Sequence, residues 1–206
     1  MEQKVFKRKV MPLFATTLVV STIGSLIGLL FLLPYLSNIW VLLGLGLMGF
    51  VVMYAIYSTK SLPLLYFFNI LMGALMAPIL GLAIYIDPGL ILQAFAITTV
   101  VFAGLAGYAY FSKKDFTFLG GMLFVLLIFG IVASLAVTFL GLTGYGLIIS
   151  AFFTLLFAGF VLYDMSSILK NYPNEDYVPA VAALYIDFIN LFINILMILI
   201  NLRGQD

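Results

Sequence analysis

The chain of 206 residues has no cysteine and no histidine, and it carries only nine basic and eight acidic side chains, so 8% of it is charged. Each absence excludes a chemistry. Without Cys or His there can be no disulfide, no Cys/His zinc site, no Cys–His or Ser–His–Asp nucleophile pair and no imidazole proton relay. Soluble domains are about one-quarter charged because their surface must face water, so this shortage rules out a soluble domain. A formal net charge of +1 leaves no nucleic-acid footprint. Any chemistry falls to carboxylates, amides, hydroxyls or backbone.

Hydrocarbon is what the chain has in abundance: 65% of its residues are hydrophobic and its mean hydropathy is +1.26. A bilayer core of about 30 Å takes roughly 20 apolar residues per helix. Seven runs qualify, over 10–33, 39–57, 62–86, 89–111, 116–142, 147–169 and 178–200. They predict an all-α membrane protein, one seven-helix transmembrane domain spanning 1–206. The breaks at 34–38, 58–61 ahead of Pro63, Asp87-Pro88-Gly89, 112–115, 143–146 and 171–177 carry turn residues. The first run follows Lys4, Lys7, Arg8 and Lys9, but it exceeds a signal-peptide core and no small-x-small cleavage pattern follows, so it is expected to stay as an anchor.

Lys and Arg beside short loops are retained on the cytoplasmic side. An inside N-terminus puts Lys4, Lys7, Arg8, Lys9, Lys60, Lys113, Lys114 and Lys170 on the inner side and only Arg203 outside, so the C-terminus is expected outside. Small residues should mark packed helix faces in lipid. Gly44 and Gly46 in helix two, Gly73, Ala77 and Gly81 in helix three, and Ala103 and Gly107 in helix four are such residues. Trp40, Tyr35, Tyr57 and Tyr145 suit interfacial belts.

All charges fall in termini or loops except Asp164 in helix six and Asp187 in helix seven. An Asp at mid-span costs roughly 2.5–3.5 kcal/mol on insertion scales, a cost that calls for a use. The midpoint between the two falls at Glu175 and Asp176, in the turn joining their helices, so an antiparallel hairpin puts both at similar depth. Asp187, Asn190, Asn194 and Asn201 lie in a stripe about 60° wide on helix seven. Such a stripe faces the bundle interior or a wet cavity, which makes helix seven the expected pathway-lining helix. Asn69, Gln93, Thr98 and Thr99 are further polar groups that local hydrogen bonds alone could satisfy.

Two carboxylates close together in low dielectric should share one proton, a proton sensor without histidine. Loss of that proton would drive the helices apart or draw in a cation, and hard cations such as Ca²⁺ favour carboxylate and amide oxygens. Lys60 or Lys170 could instead pair with Asp164 and latch one state. The plainer reading is a structural hydrogen-bonded pair without a transport role.

Tyr163-Asp164, together with Tyr185-Ile186-Asp187-Phe188-Ile189-Asn190-Leu191-Phe192-Ile193-Asn194, resembles the Bax inhibitor family of seven-helix membrane proteins. Gly73-x-x-Met76-x-Pro78 and Ala94-x-x-x-Thr98-Thr99-x-Val101-Phe102 resemble its signature in helices three and four. Ala77 and Tyr85 depart from it, where a Gly or Cys and a small residue are expected. The resemblance implies a pH-sensitive calcium leak protein of a prokaryotic plasma membrane, with helix seven surrounded by the other six. It implies that Asp164 and Asp187 are the proton sensor and possible Ca²⁺ contacts, and that Lys60 stands nearest to a basic latch. Asn190, Asn194 and Asn201 would line the pathway. The partners expected are the bilayer, Ca²⁺ and protons, with no cofactor.

An intramembrane aspartyl protease also uses two aspartates on adjacent helices, and Tyr163-Asp164 fits one. Its second motif resembles Gly-x-Gly-Asp, whereas Leu184-Tyr185-Ile186-Asp187 has neither glycine and no Pro-Ala-Leu run follows. A retinal protein needs a lysine on helix seven, which is missing. A regulator that meets other membrane proteins through helix faces or short loops stays open. The passive leak is preferred, since no ATP motif exists to drive transport and the chain is not expected to be an enzyme.

Overall fold

A computed structural model of the chain describes residues 1–36, 38–112 and 114–204. Ser37 in the first expected break and Lys113 among the expected inner charges lie outside the described residues. The described residues are helical, without strands. We number the helices α1 (Gln3–Leu36), α2 (Ile39–Thr59), α3 (Leu62–Leu75, continued as Ala77–Ile86), α4 (Gly89–Ser112), α5 (Gly120–Phe139), α6 (Gly146–Asn171) and α7 (Tyr177–Arg203). Six are long and apolar enough to cross a membrane, and α3 makes a seventh if its two parts form one span.

Three helices differ from the sequence reading. The first begins at Gln3 and not near Val10, because Lys and Arg are good helix formers and the run of apolar residues marks only its hydrocarbon-length part. Helix three is not one rod: it bends by 42° at Met76. Pro78 lacks the N–H that would bond Ala74, and a proline ring clashes with the carbonyl four residues back. Helix five stops at Phe139, where Gly141 takes φ +66° and Leu142 N–H donates to the Val137 carbonyl at 3.0 Å, a glycine-based stop.

The ends are capped by short polar side chains. Asn38 accepts from Trp40 N–H at 2.9 Å before α2, and Asp87 accepts from Gly89 N–H at 2.8 Å before α4. Lys60 closes α2 at φ +53°, a left-handed position that usually goes to glycine, with its N–H on the Ile56 carbonyl at 2.8 Å.

The chain forms two compact units. The first comprises Met1–Leu82 and Leu169–Tyr185. Its centre is a close crossing of α1 and α3: a Cβ on Gly73 would lie 2.1 Å from the Ser21 carbonyl oxygen, and one on Gly24 2.3 Å from that of Ile70. Ala77 is fully buried in the same row, as small-residue packing requires. By contrast, Gly44, Gly46 and Gly107 have open space where a Cβ would stand, so they do not mark packed faces.

The second unit comprises Ala83–Ile168 and Ile186–Asp206. Here Gly120, Gly130 and Gly159 admit the side chains of Tyr163, Phe152 and Leu123, which joins α5 to α6. Phe188 of α7 meets Phe95 and Phe102 of α4 edge to face, with centroids 5.9 and 5.4 Å away. Large apolar side chains such as Phe50, Leu92 and Phe139 point outward, and so do Trp40, Tyr35 and Tyr145, as a lipid-facing surface with aromatic belts demands. Tyr85, the departure from the family pattern, is 88% exposed and therefore disturbs no packing.

Candidate functional site

The second unit brings Asp164 and Asp187 together. Asp164 lies in the last third of α6, where the Tyr163 ring fills the space beside Gly120 and Phe116 N–H donates to Ser166 Oγ at 3.2 Å. These contacts fix the turn of α6 that carries the carboxyl. Asp187 lies on α7 with 2% of its surface exposed, next to the Phe188 cluster. The two carboxyl groups lie within interacting range of each other, and a hydrogen bond between two carboxyls would need one proton between them. Asp187 Oδ2 is buried with no hydrogen-bond partner. Two carboxylates in contact at an effective dielectric of about 20 would repel by about 4 kcal/mol at 4 Å if both were ionised.

The amide stripe continues along α7. Asn190, Asn194 and Asn201 are half-buried, and each donates its side-chain N–H to the carbonyl four residues earlier, of Ile186, Asn190 and Met197, at 2.7–2.9 Å. That leaves each side-chain oxygen as an acceptor. Asn201 Oδ1 borders Gly146 at the start of α6. At the end of α7, Arg203 reaches Asp87 Oδ2 at 3.5 Å beside Gln93, around a cavity of about 220 Å³.

In the first unit Lys60 forms an ion pair with Asp176 of the turn before α7. Asp176 and then Glu175 hold its ammonium above the ordinary lysine value, the hydrogen bond it donates to Asp176 being the largest cause. The partner of Lys60 in this structure is thus a loop carboxylate. The N-terminus joins the same turn region: the Met1 ammonium donates to the Leu169 carbonyl at 3.1 Å and Glu2 N–H to Asn174 Oδ1 at 2.8 Å.

Sequence reasoning missed a second polar cluster in that unit. Tyr185, fully buried on α7, shares a 2.6 Å hydrogen bond with Ser21 of α1, and Asn69 of α3 lies against the same hydroxyl. Asn69 is fully buried, and neither atom of its amide makes a hydrogen bond of good geometry, so local bonds do not satisfy it. Thr98 and Thr99 do bond locally, to the Ala94 and Phe95 carbonyls at 2.7 Å. The signal for the cluster was Tyr185 itself, since a tyrosine in mid-span needs a partner for its hydroxyl.

Apolar helices of spanning length, interrupted at depth by a carboxyl pair and a stripe of amides, define an integral membrane protein of helical type. The chain belongs to the Bax inhibitor family: the family model described as "Inhibitor of apoptosis-promoting Bax1" matches residues 3–204. It is 35% identical over 209 residues to "Bax inhibitor 1" of Schizosaccharomyces pombe, covering 98% of this chain and 78% of that protein. It is 36% identical over 197 residues to an "Uncharacterized membrane protein" of Vibrio cholerae (94% and 88%), and 32% over 202 residues to "Protein lifeguard 4" of Mus musculus (94% and 84%). The resemblance read from Tyr163-Asp164 and from helix seven therefore holds at the level of the family.

Proposed function

We propose that this protein is a passive, pH-sensitive cation leak, with Ca²⁺ as its cargo, gated by Asp164 and Asp187. The single observation that carries this reading is the close carboxyl pair inside apolar helices, with a buried oxygen of Asp187 left unpartnered. Intramembrane acids mark ion and proton pathways, and a pair that shares one proton responds to pH. Two carboxylates offer at most four oxygens, whereas Ca²⁺ takes six to eight, so a Ca²⁺ ion at the pair keeps part of its water and passes on. The oxygens of Asn190, Asn194 and Asn201 supply hard ligands along the rest of the route.

The proposal that α7 is the central helix is supported by its burial, 61% of its apolar window against 11–28% for the other unbroken spans. A cytoplasmic N-terminus and an outside C-terminus follow from the basic residues, with the membrane being a prokaryotic plasma membrane. Lys60 is a latch on the turn before α7 through Asp176. Calcium flux into proteoliposomes across a pH series is the test. Flux that titrates in the wild type and loses both its size and its pH dependence in Asp164→Asn and Asp187→Asn supports the reading; unchanged flux in both variants removes it. The printed name of the yeast relative favours a second reading, a regulator acting on other membrane proteins without transport. In that case the vesicles stay tight at every pH.

A further inference from the structure

We propose that the first unit holds an anionic phospholipid in a groove between α1, α3 and the start of α7. The groove has a volume of about 380 Å³ and is walled by Pro12, Leu13, Leu62 and Tyr66, with Lys9 and Tyr177 at one end. Thr16 Oγ1, which donates to the Leu13 carbonyl at 2.7 Å, also lies 3.4 Å from Tyr66 Oη. Its wall is thus apolar with its hydroxyls partnered, which suits an acyl chain. Its end is cationic.

The charge at that end is set by the backbone. Residues Phe6–Val10 form a π-helical turn in which Phe6 is 4% exposed and Val10 fully buried. Two buried anchors leave Lys7, Arg8 and Lys9 between them, all exposed. Lys9 Nζ lies 4.7 Å over the Tyr177 ring. No acidic residue occurs between Glu2 and Asp87, and of the acids just before Tyr177, Asp176 is engaged by Lys60 while Glu175 is exposed. The local excess of positive charge therefore fits an anion.

Depth decides which anion. The first helix has 34 residues, about 51 Å at 1.5 Å each, and the hydrocarbon core is about 30 Å thick. Its first residues therefore stand beyond the hydrocarbon, with Lys7, Arg8 and Lys9 at headgroup level and Pro12, Leu13 and Thr16 below them. A headgroup phosphate on Lys9 with an acyl chain along Leu13, Leu62 and Tyr66 fills both parts. Because Tyr177 opens α7, an occupied groove steadies the start of the helix that carries Asp187.

The test is native mass spectrometry of the full chain in detergent, with equal phosphatidylglycerol and phosphatidylcholine of identical acyl chains. Preferential retention of phosphatidylglycerol is expected. Lys9→Gln should lower that preference about fivefold, the effect of one cation near a headgroup. Leu13→Trp, which fills the groove and keeps every charge, should remove retained lipid, with thermal melting confirming that it folds; Tyr66→Trp serves if it does not. Lys114→Gln, in another loop, should change nothing. Equal retention of the two lipids, equal effects of Lys9→Gln and Lys114→Gln, or full displacement by soluble glycerol phosphate would each overturn the proposal.

Discussion

Two buried polar clusters sit two residues apart on α7 and do different work. Asp187 lies against the carboxyl of Asp164, whereas Tyr185 shares a neutral hydrogen bond with Ser21 at 2.6 Å beside Asn69. At 100° per residue their side chains leave the helix about 160° apart, so each takes partners from different helices. The carboxyl pair changes charge when a proton leaves, which is what the proposed function uses as its switch. The hydroxyl and amide cluster keeps its charge across ordinary pH and acts as a fixed point. On the proposed function, helix seven is held by one cluster and moved by the other.

The comparison breaks most easily at the carboxyl pair. Asp187→Asn is expected to take calcium flux in proteoliposomes to the level of protein-free vesicles and to leave no pH response. Equal flux in variant and wild type would put the switch elsewhere. Next in size is the packing beneath the fixed cluster. Gly73→Val drives a side chain into the Ser21 carbonyl and should cost about 3 kcal/mol of stability, the upper end for overpacking, while Gly44→Val meets open space and should cost nothing measurable. Denaturant unfolding of the two variants side by side checks this.

Smaller effects separate the clusters further. Tyr185→Phe keeps the ring against Phe68 but removes the hydroxyl, so a loss of about 1 kcal/mol is expected, with the pH profile of flux unmoved. A shifted profile would mean that the two clusters are coupled through protons. Lys60→Gln has the smallest effect. Because Asp176 raises the Lys60 ammonium above its ordinary 10.5, the pair's contribution is present in full below that value and disappears as pH rises through the raised one. The melting difference between Lys60→Gln and wild type should thus be level through neutral pH and vanish in strong alkali. A difference that grows with pH would contradict that sign.

Much of this was legible because a carboxylate in an apolar run is conspicuous. Asp164 and Asp187 stood out by chemistry alone, and their symmetry about Glu175 and Asp176 predicted a similar depth for both. The number of apolar runs followed from bilayer thickness. Geometry within those runs was harder to read. The break at Met76 is hidden because the residues around Pro78 stay apolar, and composition does not register a missing N–H. Gly44 and Gly73 look alike in the sequence, yet only Gly73 faces another backbone. Ser21 and Tyr185 are 164 residues apart and neither is unusual in a membrane helix, so only the folded chain pairs them.

The central claim is that one proton holds Asp164 and Asp187 together and that its loss releases them. Structures at two pH values that bracket the flux transition test it most directly, through the distance between the two carboxyl groups. Hydrogen-bond contact on the acid side and separated carboxyls, or a cation between them, on the alkaline side is the predicted result. An unchanged distance across a pH step that does change calcium flux would contradict it.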